Sequence, residues 1–218
     1  MKEDILEQIA EDYFISIQGN FTKHNLKFRP REGSLGHNRK YDSVHSDIDL
    51  IVINTKEKNS ITVVSCKSWQ EGFNANLASQ EIEKAIEGQP EKVTGKRDYW
   101  CYFRELCINR WTDSFVSTLR RELSISEKNR FTLNYIILCT KLTPKSVLSK
   151  DALSKSRILK EYFRKFQVEI NLEIVTIDKY IRKLVAKIEN SPTNAVESTH
   201  LSRTLQLLMA SGYKVSSN

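Results

Sequence analysis

The residues best placed to do chemistry fall in two short runs, Ser46-Asp47-Ile48-Asp49-Leu50-Ile51-Val52 and Ile61-Thr62-Val63-Val64-Ser65-Cys66-Lys67-Ser68-Trp69. Both read as strands, and alternate side chains of a strand share a face. Asp47 and Asp49 are therefore expected on one face. Val63, Ser65 and Lys67 share another, with Ser65 and Lys67 roughly 7 Å apart along the strand. Residues 55–60 are polar enough for a short connection, so the runs can pair as a hairpin that sets the acids against the lysine. A lysine closing an apolar run costs free energy unless an anion meets it. A carboxylate beside it can hold Mg²⁺, which takes one or two carboxylates with waters and phosphate oxygens. The chemistry this points to is metal-assisted attack of water on a phosphodiester, with Lys67 orienting or deprotonating the water. The alternative on pattern alone is a surface salt bridge across a hairpin.

Composition bounds the setting. The chain has 218 residues, of which 39% are hydrophobic, enough for one ordinary domain with a real core or a core with a small appendage. Its net charge of +7 suits an acidic partner, nucleic acid being the commonest, although solubility alone could explain it. No apolar run approaches the roughly 18 residues of a spanning helix, and Met1-Lys2-Glu3-Asp4 does not open a signal peptide. The expectation is a cytoplasmic protein with no membrane attachment. Cys66, Cys101, Cys107 and Cys139 form no CxxC pair, and no histidine stands at finger spacing, which argues against zinc. Cys66 and Cys139 read as small core residues. Of the four histidines only His45 lies near the two runs.

The elements that must position these runs follow from periodicity. Ile5, Leu6, Ile9, Ala10, Tyr13, Phe14 and Ile17 repeat with helical spacing from Lys2 to about Gln18, and Glu3, Glu7 and Glu11 form a stripe beside them. Gly19-Asn20 ends that helix, and a strand is expected over Asn25–Pro30. A polar loop follows, in which Arg29, Arg31, Arg39 and Lys40 could contact phosphate or simply be solvated. Residues 76–87 read as a helix carrying Glu81. A stretch from 99 to 124 carries many aromatics, more in keeping with core than with base stacking. Phe131–Cys139 and Val168–Ile177 read as strands, the first fully buried and the second with one exposed face. Between them Thr143-Pro144 opens a basic helix that includes Lys145 and Lys150, a solvated face or a hold on a duplex backbone. Asp178 is expected to cap a helix to about Ile188. Residues 190–194 read as a linker to a last helix over 196–210, and two parts are expected: a core over 1–189 with a helical insertion at about 99–124, and a C-terminal helical extension over 190–218.

The order of a helix with an internal glutamate, a strand, then SDIDLIV, then ITVVSCKSW resembles the PD-(D/E)XK nuclease superfamily, especially its restriction-endonuclease-like and Mrr-like branches. That pattern places an acid at the start of one strand and acid-x-Lys on the next. Asp49 matches the first, and Ser65-Cys66-Lys67 matches the second with serine in place of the acid. The resemblance implies an α/β fold with a restriction-endonuclease-like core, a central mixed sheet flanked by helices, plus the helical insertion and C-terminal helices.

It also implies Mg²⁺-dependent hydrolysis of DNA, for which Mn²⁺ can substitute, leaving 5′-phosphate and 3′-hydroxyl ends, in restriction or another defence against foreign DNA. By resemblance Asp49 would ligate the metal with a first-helix glutamate, Glu11 ahead of Glu7. One group of type II restriction enzymes that also carry Ser-x-Lys is similar in taking the missing acid from the next helix, at about the spacing of Glu81. Asp47 is a further candidate ligand, and Ser65 could bridge through its hydroxyl. The alternative for each glutamate is a solvated helix face. Expected partners are DNA and a second copy of the chain, or a larger nuclease complex. Two other readings stay open: a DNA-binding protein with a degenerate site, and a nuclease subunit of a transposition or defence assembly.

Overall fold

The β-branched runs become strands, and the amphipathic segments cover them. The structure, a computed structural model, describes residues 4–88, 98–146, 151–190 and 200–212. Strands β1 (Asn20–Phe28), β2 (Ser46–Asn54), β3 (Ser60–Lys67), β4 (Phe131–Cys139) and β5 (Val168–Thr176) form one mixed sheet in the order β1-β2-β3-β4-β5. The first three pair antiparallel, and β4 and β5 add in parallel. Parallel neighbours need crossovers, and helices supply them. The fold is α/β.

Helix α1 (Ile5–Ile15) precedes β1, and the short α2 (Arg39–Asp42) lies in the loop before β2. Between β3 and β4 come α3 (Ala75–Ile86), a 3-10 turn (Tyr99–Tyr102), α4 (Arg104–Cys107) and α5 (Asn109–Leu123). Between β4 and β5 come α6 (Ala152–Lys155) and α7 (Arg157–Arg164), and α8 (Ile177–Asn190) and α9 (His200–Ala210) follow β5.

Each sheet face has its own core. On one, Leu6, Ile9 and Phe14 of α1 and Tyr180 and Leu184 of α8 bury Leu50, Val52, Val64 and Leu138. On the other, Ile82 of α3, Leu106 of α4, Trp111 and Phe115 of α5 and Phe163 of α7 cover Ile51, Val63, Leu133, Tyr135 and Ile170. The aromatic stretch is thus spent on packing: Phe103, Trp111 and Phe115 are buried, and Tyr99, Trp100 and Tyr102 pack partly buried against the same core.

Some boundaries differ from those read off periodicity. β1 begins at Asn20, five residues earlier than expected, because Gly19 turns at φ +90° and Asn20 pairs at once with Asn54. The basic helix after Pro144 is broken. Ser156 interrupts it, and its hydroxyl accepts the Leu159 N–H to start α7 afresh. Asp178 lies in the first turn of α8 and is not its cap. Residues 191–199, which include most of the expected linker, and Lys150 lie outside the described residues. Among the described residues no helix is long and apolar enough to cross a membrane.

Candidate active site

The site forms where the pairing of β2 breaks on both sides, for one level against β1 and from that level onward against β3. On its β1 side the ladder pairs His24 with Leu50 and Leu26 with Ile48 but skips the Asn25–Asp49 level between them. Asn25 there has a left-handed φ of 52°, which asparagine tolerates better than most residues. Both strands change faces at this level. Leu50 and Val52 pack towards α1, while Ile48 joins Phe28 in the core under α5. On its β3 side the ladder stops at Leu50–Val64. Asp49 fills the resulting fork, its Oδ2 accepting the backbone N–H of Cys66 at 2.7 Å where a strand carbonyl would otherwise stand.

Lys67, the last residue of β3, closes the fork. Its Nζ donates to the Ser65 hydroxyl at 2.7 Å and the Cys66 carbonyl at 3.2 Å, and lies 3.8 Å from Asp49 Oδ2. The Phe103 ring stands 5.4 Å below it. The two charged side chains are only 16% and 21% exposed, so each depends on the other for compensation. Burial nevertheless wins at Asp49: it pushes the carboxyl above its ordinary range against the pull of Lys67 and the Cys66 N–H. A fixed positive charge is still wanted there.

Glu7, in the first turn of α1, is the second carboxylate. Burial and then repulsion from Asp49 and Asp4 raise its pKa, while His24 and Lys67 lower it. A divalent cation would relieve the repulsion that Asp49 exerts on Glu7. Among the described residues Asp49 Oδ1 takes no hydrogen bond, all its contacts being to Oδ2. An ion held here by Asp49 and Glu7 would complete its shell with water and ligand oxygens. That donor set suits Mg²⁺ and not a closed thiolate or imidazole cage.

Comparison with known proteins finds nothing. No protein-family model, curated protein or solved structure matches the chain. The site is therefore described by its own geometry.

Behind Ser65 lies a polar chain that periodicity did not reveal. The Tyr135 phenol, buried in β4, donates to Glu105 Oε1 at 2.6 Å, and burial raises its pKa against the pull of the Ser65 side chain. Burial raises the Glu105 carboxyl, opposed by the Tyr135 bond and by the charge of Lys67. A buried phenol–carboxyl pair thus lies behind the Ser65 hydroxyl that holds the lysine. The available signal was Glu105 itself, an acid that with Arg104 interrupts an apolar and aromatic stretch.

The other expected residues fall as follows. Asp49, Ser65 and Lys67 come together. Glu11 does not join them; it accepts from Thr22 at 3.1 Å and stands 2.7 Å from His24 Nε2, whereas Glu7, one turn earlier, lies in the field of Asp49. Glu81 accepts the Tyr99 N–H and caps the 3-10 turn; the charges that act on it are Asp98 and Lys84. Asp47 is exposed and in register with Lys27, and the change of faces separates it from Asp49, to which it adds only a minor repulsion. Arg29, Arg31 and Arg39 are exposed. The side chains of Lys40 and Lys145 lie outside the described residues.

Proposed function

We propose that this chain is an Mg²⁺-dependent endodeoxyribonuclease with a restriction-endonuclease-like core. The observation that carries the reading is the fork between β2 and β3, in which Asp49 and Lys67 meet with Nζ 3.8 Å from Oδ2. The order α1, three antiparallel strands, α3 and a parallel strand agrees with the core that the resemblance implies.

Asp49 and Glu7 would hold the ion, Asp49 through the oxygen that Cys66 leaves free. When bound, Mg²⁺ supplies an acidified water and charge stabilisation on the phosphate oxygens. The Cys66 N–H fixes the Asp49 carboxylate, so no rotamer search precedes binding. Ser65 and the Cys66 carbonyl hold the Lys67 ammonium beside the carboxylate without closing a tight pair. From there it can orient the attacking water or neutralise a non-bridging phosphate oxygen.

One observation favours a second reading, a DNA-binding protein without turnover: the position expected to carry an acid holds Ser65. Incubation with supercoiled plasmid and Mg²⁺ or Mn²⁺ separates the two. Nicking by the wild-type protein, lowered at least about a hundredfold in Asp49→Asn and Lys67→Ala with folding intact by circular dichroism, supports the nuclease. DNA binding without nicking by either metal supports the second reading.

A further inference from the structure

A cleft of about 470 Å³ opens between the end of β1, the loop that follows it and α5. Lys27, Arg29, Arg31, Arg120 and Arg121 line it against one acid, Glu127. Among the described residues no carboxylate pairs with Lys27, Arg29, Arg31 or Arg121. Arg120 is buried, and its guanidinium donates to the carbonyls of Ser126, Asn129 and Phe166. Those carbonyls satisfy its hydrogens but carry no net charge, so its positive field extends into the cleft.

The walls are held in place. Asp42, at the far end of the loop, accepts from Arg110 at 2.7 Å and from the Trp111 indole at 3.0 Å, both on α5. Ser114 of α5 donates to the Arg29 carbonyl. The cleft lies at the same end of the sheet as the fork. Lys27 is in register with Asp47, two residues from Asp49, which is about 7 Å along the strand. Cations contributed by a strand, a loop and a helix, strung along one cleft, suit a linear polyanion better than a single small ion.

We propose that this cleft binds backbone phosphates of the nucleic-acid strand whose scissile phosphate lies at Asp49 and Lys67. The inference rests on the nuclease reading for what lies at the fork, but its test needs no catalysis. A fluorescein-labelled DNA duplex is titrated with the full-length protein in EDTA at several salt concentrations. Arg31→Ala/Arg121→Ala is expected to weaken binding about tenfold or more and to reduce the slope of log K against log salt by about 2. Lys58→Ala/Arg130→Ala removes the same charge from a second cleft, at the start of β4 and β5, and is expected to bind within about twofold of wild type.

Equal losses in the two double variants would overturn the proposal, since net charge alone would then account for binding. Wild-type affinity in the Arg31/Arg121 variant would overturn it too. Plasmid nicking by that variant at wild-type affinity removes the cleft and leaves the nuclease standing. Cleft-dependent binding by a wild-type protein that never nicks does the reverse.

Discussion

Tyr135 donates its phenol proton to Glu105 at 2.6 Å inside the core, behind the Ser65 hydroxyl that accepts from Lys67. A buried carboxyl that accepts from a phenol is more tightly protonated in the folded state than in the unfolded chain, because burial dominates its shift. The folded state then binds the extra proton. Its stabilising contribution is present below the ordinary glutamate pKa and is lost as pH rises through the raised folded value. Urea midpoints followed from about pH 4 to about pH 8 are expected to fall in the wild type, and to stay flatter in Glu105→Gln. A wild-type profile parallel to that of Glu105→Gln would show that Glu105 does not titrate in this way.

Removing the phenol tests the same chain from the other side. Tyr135→Phe leaves Glu105 without its donor in the core and is expected to cost about 1–3 kcal/mol by urea unfolding. Glu105→Gln in the Tyr135→Phe background is expected to recover part of that loss, because a neutral amide is cheaper to bury unpaired than a carboxyl.

Glu7 and Glu11 are one helical turn apart but have different surroundings. Glu7 lies in the field of Asp49 and Lys67, whereas Glu11 is occupied by Thr22 and His24. Glu7→Gln is expected to raise the Mg²⁺ concentration for half-maximal nicking about tenfold. Glu11→Gln is expected to leave it within about twofold and to cost about 1 kcal/mol at most, as a half-exposed pair does. A metal titration in which the two variants exchange these behaviours would move the ligand to Glu11.

The strands were legible because Ser46–Asn54, Ser60–Lys67 and Phe131–Cys139 are rich in β-branched side chains, and their ends fixed Asp49 and Lys67 near one another. Alternation then misled at one position. A strict period of two puts Asp47 beside Asp49, but the left-handed Asn25 opposite Asp49 lets both strands change faces, a feature of pairing that neither strand's own sequence announces. The choice between Glu7 and Glu11 was equally hidden, since their stripe on α1 fixes a face and not a height above the sheet. Glu105 and Tyr135 are thirty residues apart and meet only because α4 docks across β4. Glu81 has helical spacing suited to a ligand, yet the turn at Tyr99 claims its carboxylate.

Asn25 offers a direct test of the paired face change. Its φ of 52° is open to glycine and costly to a β-branched residue. Asn25→Gly is expected to keep wild-type stability within about 0.5 kcal/mol, whereas Asn25→Val costs about 1–2 kcal/mol and lowers nicking by shifting Asp49 in the fork. Equal stability of the two variants would mean that the left-handed turn is not what sets the level of Asp49.

Glu81 supplies the last discrimination, between a cap and a ligand. Its carboxylate accepts the Tyr99 N–H at the start of the Tyr99–Tyr102 turn, and the charges that act on it are those of Asp98 and Lys84. Loss of such a cap typically costs about 0.5–2 kcal/mol. Glu81→Ala is therefore expected to lower the urea midpoint while nicking per folded molecule, and its Mg²⁺ dependence, stay at the wild-type level. Loss of Mg²⁺-dependent nicking at unchanged stability would instead return Glu81 to the metal and make the cap incidental.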